Sequence, residues 1–156
     1  LLTPSFSPDG ATLGWKVSGD LSGAGKYELG FALFDLEARA ARLIHIYEPV
    51  GGAGMGDYLA WSPDAQWLVV VTQDEQAAMS RMPNLFAARV DGSGDQFIAF
   101  GTDPTWKPDG SLLAYLQATE SGAVELWLAD PADWSTRPAE IAIEEMILYL
   151  GEWEER

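Results

Sequence analysis

The sequence predicts an all-β protein built from three repeated units, each of four short strands, and three observations lead there. Phe6-Ser7-Pro8-Asp9-Gly10, Trp61-Ser62-Pro63-Asp64-Ala65 and Trp106-Lys107-Pro108-Asp109-Gly110 each set an aromatic residue and a Pro-Asp turn before an apolar run. Pro8, Pro63 and Pro108 stand 55 and 45 residues apart, a period that marks repeat architectures, in which one unit cannot bury itself and must stack on its neighbours. Short apolar stretches bounded by turn residues recur along the chain, which argues strands, and only Glu140 to Leu150 is ambiguous between helix and strand.

Aligned on the turn, the elements follow in order. The first strand of each unit is expected at Pro4 to Phe6, Tyr58 to Trp61 and Pro104 to Trp106, and the second at Thr12 to Val17, Trp67 to Thr72 and Leu112 to Gln117. The third, an apolar stretch ending in Asp, is expected at Phe31 to Asp35, Leu85 to Asp91 and Glu125 to Asp130. The fourth is expected at Arg42 to Tyr47, Gln96 to Phe100 and Glu140 to Ile143. In the turn, Pro suits the second position of a type I turn, Asp the third, and Gly the left-handed position that closes a bulged hairpin. Ala65 occupies that last position in the second unit, where a Cβ costs about 1–2 kcal/mol, so the turn is either strained or built differently.

Composition bounds the function. With 156 residues, of which 47% are hydrophobic, the chain holds material for a core, and its net charge of −15 repels phosphate. Nucleic acid and anionic membrane surfaces are therefore not expected partners. Without Cys there is no disulfide, thiolate nucleophile or cysteine-based metal site. The apolar runs are far shorter than the roughly 20 residues of a membrane-spanning helix, so membrane insertion is not expected. No signal peptide is visible, and a start on Leu1 rather than Met suggests a piece excised or processed from something longer.

Each motif that could carry chemistry has a structural reading that outweighs it. His45, the single histidine, sits between Ile44 and Ile46 on a strand and reads as a surface or interface residue; no Gly-x-Ser-x-Gly elbow accompanies it. Gly51 to Gly56 links strand to strand instead of strand to helix, so it reads as an inter-unit loop and not a dinucleotide site. Asp91-Gly92-Ser93-Gly94-Asp95 has alternating oxygen ligands but Thr102 at the twelfth position of a calcium loop, so it reads as a hairpin. The pairs Asp74-Glu75, Glu144-Glu145 and Glu154-Glu155 read as solvated charge. Most of the seven Trp residues are expected to pack between units, with Trp134 and Trp153 the better candidates for exposed stacking on a sugar. No metal and no cofactor are expected.

An aromatic residue, Ser-Pro-Asp-Gly and an apolar strand, three times in register, resemble the WD-like repeat of TolB-type β-propellers. Ala65 for Gly and Lys107 for Ser are the departures. The resemblance implies four-stranded antiparallel blades around a channel, and it spans periplasmic binding scaffolds and the propeller halves of peptidases. On this reading residues 1–156 form one propeller segment, with blades at 1–56, 57–101 and 102–143, and 144–156 a latch strand and acidic tail. Three blades cannot close a ring, since propellers have about 4–8. Either the chain is a fragment, or partner domains complete the ring, or two copies do; since the TolB-type propellers it resembles have six blades, the expectation is a twofold homodimer of six blades, using the strands nearest Phe6, Trp15, Trp127 and Tyr149.

The resemblance also places the loops holding Asp20, Asp57, Asp74, Glu75, Asp103, Glu120 and Glu145 on one face, partly offset by Lys26 and Arg81. Asp57, Tyr58, Asp103 and Glu145 then mark a partner-binding channel mouth suited to a basic protein or peptide. The functional expectation is a non-enzymatic protein-binding scaffold, periplasmic or extracellular by resemblance. The alternatives are the propeller portion of a larger enzyme such as a peptidase, or a carbohydrate-binding module.

Overall fold

The computed structural model describes residues 4–49, 59–74, 77, 82–119 and 122–140. They form three four-stranded antiparallel sheets whose strands pair in sequence order, so each sheet is a meander. Blade 1 holds β1 (Ser5–Phe6), β2 (Thr12–Gly19), β3 (Glu28–Asp35) and β4 (Ala40–Tyr47). Blade 2 holds β5 (Leu59–Trp61), β6 (Trp67–Thr72), β7 (Asn84–Arg89) and β8 (Asp95–Phe100). Blade 3 holds β9 (Thr102–Trp106), β10 (Leu113–Ala118), β11 (Val124–Ala129) and β12 (Thr136–Pro138). Strands β5 and β9 touch across the blade 2–blade 3 boundary, so the first strands of these two blades lie side by side.

Most strands overlap their sequence expectations with ends shifted by one to three residues, as in β3, which starts at Glu28 and not Phe31; one is displaced altogether. The strand that follows β11 and pairs with it is Thr136–Pro138, earlier than the expected Glu140 to Ile143, because Asp130 to Ser135 closes a tight hairpin; residues 141–143 lie outside the described residues. Asp130 N–H donates to the Ser135 carbonyl at 2.9 Å, and Trp134 takes the left-handed φ of 58° that turns the chain back at once. The same turn, Asp35 to Ala40, joins β3 to β4 with Arg39 at φ 51°. The expected latch at 144–156 lies outside the described residues.

The core is two seams, not one centre. Successive residues of β6 point to opposite faces. Leu68 and Val70 pack with Leu29, Phe31, Leu33 and Ile44 of blade 1, while Val69 and Val71 pack with Leu113, Tyr115 and Ala129 of blade 3. Burial on both faces explains why Trp67-Leu68-Val69-Val70-Val71 is apolar without alternation. The repeated aromatic is the seam anchor: Trp61 packs against the blade 1–blade 2 cluster and Trp106 against the blade 2–blade 3 cluster. Trp106 Nε1–H also donates to the Ala60 carbonyl of the preceding blade at 3.0 Å.

The repeated turns are alike in all three blades. Gly10, Ala65 and Gly110 have φ of 72°, 57° and 74°, so Ala65 is strained in the geometry of its sisters. The Asp carboxylates organise the turns. Asp9 Oδ1 accepts from the Ser7 hydroxyl and the Ala11 amide, and Asp64 Oδ1 from the Ser62 hydroxyl and the Gln66 amide. Where Lys107 replaces Ser, its ammonium approaches Asp109 Oδ2 at 2.7 Å and Ser111 supplies the hydroxyl. Hydrogen bonds from Ser7 and Ala11 hold Asp9 below the usual carboxylate range, and those from Lys107 and Ser111 do the same for Asp109. Partial burial pushes Asp64 up, yet Ser62 and Gln66 outweigh it and the net direction is also down.

Two outcomes follow from these turns. Ala65→Gly should stabilise the chain by about 1 kcal/mol in urea unfolding, since the left-handed clash disappears against a smaller entropic loss. Lowered folded-state carboxyl values mean a contribution present above the unfolded aspartate value of about 3.9 and lost as pH falls through the folded values. Stability should therefore drop with acid below about pH 4, and replacing Asp9, Asp64 and Asp109 with Asn should flatten that dependence in an acid titration followed by circular dichroism.

Candidate functional site

In each meander the second-to-third connection and the entry to the first strand lie at the end opposite the Pro-Asp turn. This is the end at which the sequence places the channel mouth. Of the four residues expected to mark it, Asp103 is described; Asp57, Tyr58 and Glu145 lie outside the described residues. Asp103 is exposed at the start of β9, with a left-handed φ of 53°. The pairing of β9 with β10 shifts there, from Thr105 opposite Ala114 to Thr102 opposite Leu116, so Asp103 and Pro104 bulge from the ladder. Pro104 offers no amide to that ladder and stiffens the exit. The Asp103 carboxylate has no hydrogen-bond partner among the described residues.

The other described acids of this face are less available. Asp74 Oδ1 accepts from Asn84 Nδ2 at 2.5 Å and from the Ala77 amide at 3.0 Å, which ties it to the blade 2 loop. Glu28 is buried; its carboxylate accepts from the Ser22 hydroxyl and amide, both at 2.7 Å, and these bonds draw it below the usual range. Asp20 Oδ1 accepts from the Gly25 amide at 3.1 Å. Lys26, expected to offset the acids, instead pairs with Glu48 at 2.5 Å, which raises its ammonium above the usual value. Glu75, Arg81 and Glu120 lie outside the described residues.

His45 is an interface residue. It sits in a bulge of β4 at φ 47°, its side chain 8% exposed, with Nδ1 hydrogen-bonded to the Asp95 carboxylate of blade 2 and its ring 4.2 Å from Phe86. Nε2 is buried with no hydrogen-bond partner among the described residues, so neither ring nitrogen addresses a described hydroxyl. The ring borders a groove of roughly 300 Å³ on the outer rim of blades 1 and 2, away from the mouth. Asp91 to Asp95 is a hairpin between β7 and β8, as expected, with Asp91 Oδ1 accepting from the Ser93 amide at 2.8 Å. Among the described residues no cluster of three or more His, Cys, Asp or Glu is placed to hold a metal ion, and no helix is long and apolar enough to cross a membrane.

One tryptophan stands differently from its expectation. Trp134 is 7% exposed, in the blade 2–blade 3 seam, edge-on to Trp67 and Trp106 at centroid distances of 5.2 and 6.0 Å. It offers no stacking platform for a sugar, because the left-handed turn folds it back onto the preceding blade. The signal was present in the matching spacing of Asp35 to Arg39 and Asp130 to Trp134. Trp127 packs inward against the same seam, so the outward face of blade 3 belongs to its neighbours Leu126 and Leu128. Trp153 lies outside the described residues.

Solved structures share this arrangement of sheets. TolB from Acinetobacter baumannii matches with a TM-score of 0.56 and 16% identity over 86% of this chain and 31% of its own. The fold is a TolB-like β-propeller. The β-propeller domain of the trilobed protease from Pyrococcus furiosus, which has an open velcro topology, matches at 0.62 with 14% identity over 88% of this chain and 42% of its own. The AtxE2 isopeptidase matches at 0.64 with 16% identity over 94% and 30%. The TolB-like segment thus spans less than half the length of each. No protein-family model and no curated protein matches the sequence.

The position of Trp134 gives a direct check. Trp134→Ala should lower the unfolding free energy by about 3 kcal/mol or more in urea titration, the cost of emptying a buried aromatic site, whereas a surface tryptophan would change it little.

Proposed function

We propose that the chain is a non-enzymatic propeller scaffold that binds a basic protein or peptide segment at its channel mouth, with two copies closing into a six-bladed ring. The observation that carries the binding reading is Asp103, exposed, unpaired among the described residues and fixed by a bulge and Pro104 on the rim. The net charge of −15 supplies a long-range field of matching sign. By their sequence positions Asp57, Tyr58 and Glu145 extend the same rim. The engagement of His45 with Asp95 across a seam supports a structural role for the histidine over a catalytic one. A periplasmic or extracellular setting rests on the TolB resemblance.

The ring is argued from the two outward faces. Blade 1 leaves Phe6 60% exposed and Leu43 42% exposed on the face away from blade 2, and blade 3 leaves Val124 59% exposed on the face away from blade 2. Apolar sheet faces of this kind mark interaction sites. A second reading, the propeller part of a larger enzyme, is favoured by the likeness to protease and isopeptidase structures of which the chain covers 42% and 30%. An open reading frame that runs on into a catalytic domain would decide for it.

For the scaffold reading, association with a lysine-rich peptide should slow as salt rises, because steering by exposed charge is screened beyond about 8 Å at physiological ionic strength. Asp103→Asn should lower the on-rate in low salt by about two- to threefold in stopped-flow measurements. Binding that ignores both salt and Asp103 would remove the acidic mouth as the site.

A further inference from the structure

The three repeats do not use their anchoring aromatic alike, and the difference identifies a seam. Trp61 and Trp106 reach back onto the preceding blade. Phe6 holds the same repeat position and projects from the outward face of blade 1 with Leu13, opposite it on β2, and Trp15 two residues on. No described blade precedes it.

The internal seams also show what such an aromatic sits on. The Trp61 ring lies over Gly14, where an added Cβ would come within 2.8 Å of Cζ2, so the seat tolerates only a minimal side chain there. Gly14 is the sixth residue after the repeat proline, and its counterparts are Val69, in the cluster that Trp106 joins, and Ala114. Ala114 points to the outward face of blade 3, opposite Leu128 on β11, with Leu116 and Leu126 beside it. Among the described residues the chain therefore carries an anchor at one end with no blade beneath it and, at the other, a small-residue seat with no aromatic over it.

We propose that these two faces join: the outward face of blade 1 packs on the outward face of blade 3 of a second copy, with Phe6 over Ala114. The inference rests on the six-bladed reading above and specifies its seam. The contact is head-to-tail, and a twofold axis along the channel makes two of them at once, so the ring closes instead of growing into a filament. The pairing of an aromatic face with an aliphatic one repeats what both internal seams do, with Trp61 on Leu33 and Gly14 and Trp106 beside Val69.

Charge substitution tests the seam. Wild-type protein should sediment at twice the 17.0 kDa chain mass. Phe6→Asp and Ala114→Arg should each weaken that dimer by tenfold or more while circular dichroism stays that of a folded sheet protein. Mixing the two variants should restore dimer, because a mixed ring has one wild-type seam and one that faces Asp with Arg. The double variant F6D/A114R should dimerise better than either single one. Loss of dimer in both variants without rescue on mixing would overturn the head-to-tail seam and leave a twofold dimer of another geometry. A wild-type dimer that neither substitution affects would overturn the Phe6–Ala114 contact alone. A folded wild-type monomer would overturn the seam and the six-bladed reading together and assign the face to a partner other than a second copy.

Discussion

Everything in this fold depends on one packing constraint: a four-stranded sheet with two apolar faces must be covered on both. The middle blade satisfies it completely, which is why β6 carries Leu68 and Val70 to one side and Val69 and Val71 to the other. The repeated aromatic serves the same constraint. A large flat side chain at the start of each unit spans the gap to the previous sheet, and burying it supplies more apolar area than an aliphatic residue would. Trp134 adds to this in the second seam, where three tryptophan rings meet edge to face. The Pro-Asp turn sets the angle at which the second strand leaves the aromatic, so turn and anchor are one device.

The same constraint separates stability from recognition. Side chains along the seams are committed to packing, including His45, and the groups left free sit at strand ends. At the end opposite the Pro-Asp turns the loops hold several of their own carboxylates, as Asp74 holds Asn84 and Glu28 holds Ser22. This leaves a face whose charge is patterned by which acids the loops consume. Asp103 remains outside such a network because a bulge pushes it from the ladder.

Much of the architecture was legible in the sequence because it is written in local chemistry. The turn needs Pro, Asp and a left-handed residue in fixed order, and even the exception at Ala65 adopts the φ its sisters require. Period-two patterning and the apolar run of β6 set the strands within a residue or two over most of their length. The last strand of blade 3 was misplaced because Asp130 to Trp134 lacks Gly, so its left-handed turn is invisible to composition and the strand is sought too late. Trp134 was misread for the same reason. Which carboxylates are free was not legible at all, since Asp74, Glu28 and Asp103 look alike in sequence and differ in loop hydrogen bonds that span up to ten residues.

The claim that the repeated aromatics hold the blades together is tested most directly by equilibrium urea unfolding of Trp61→Ala and Trp106→Ala. The account predicts that each loses about 2 kcal/mol or more of unfolding free energy, since both rings are half-buried against the seam clusters and a fully buried aromatic costs about 3–5 kcal/mol to remove. A loss below about 1 kcal/mol in either variant, the size of an ordinary surface substitution, would contradict it.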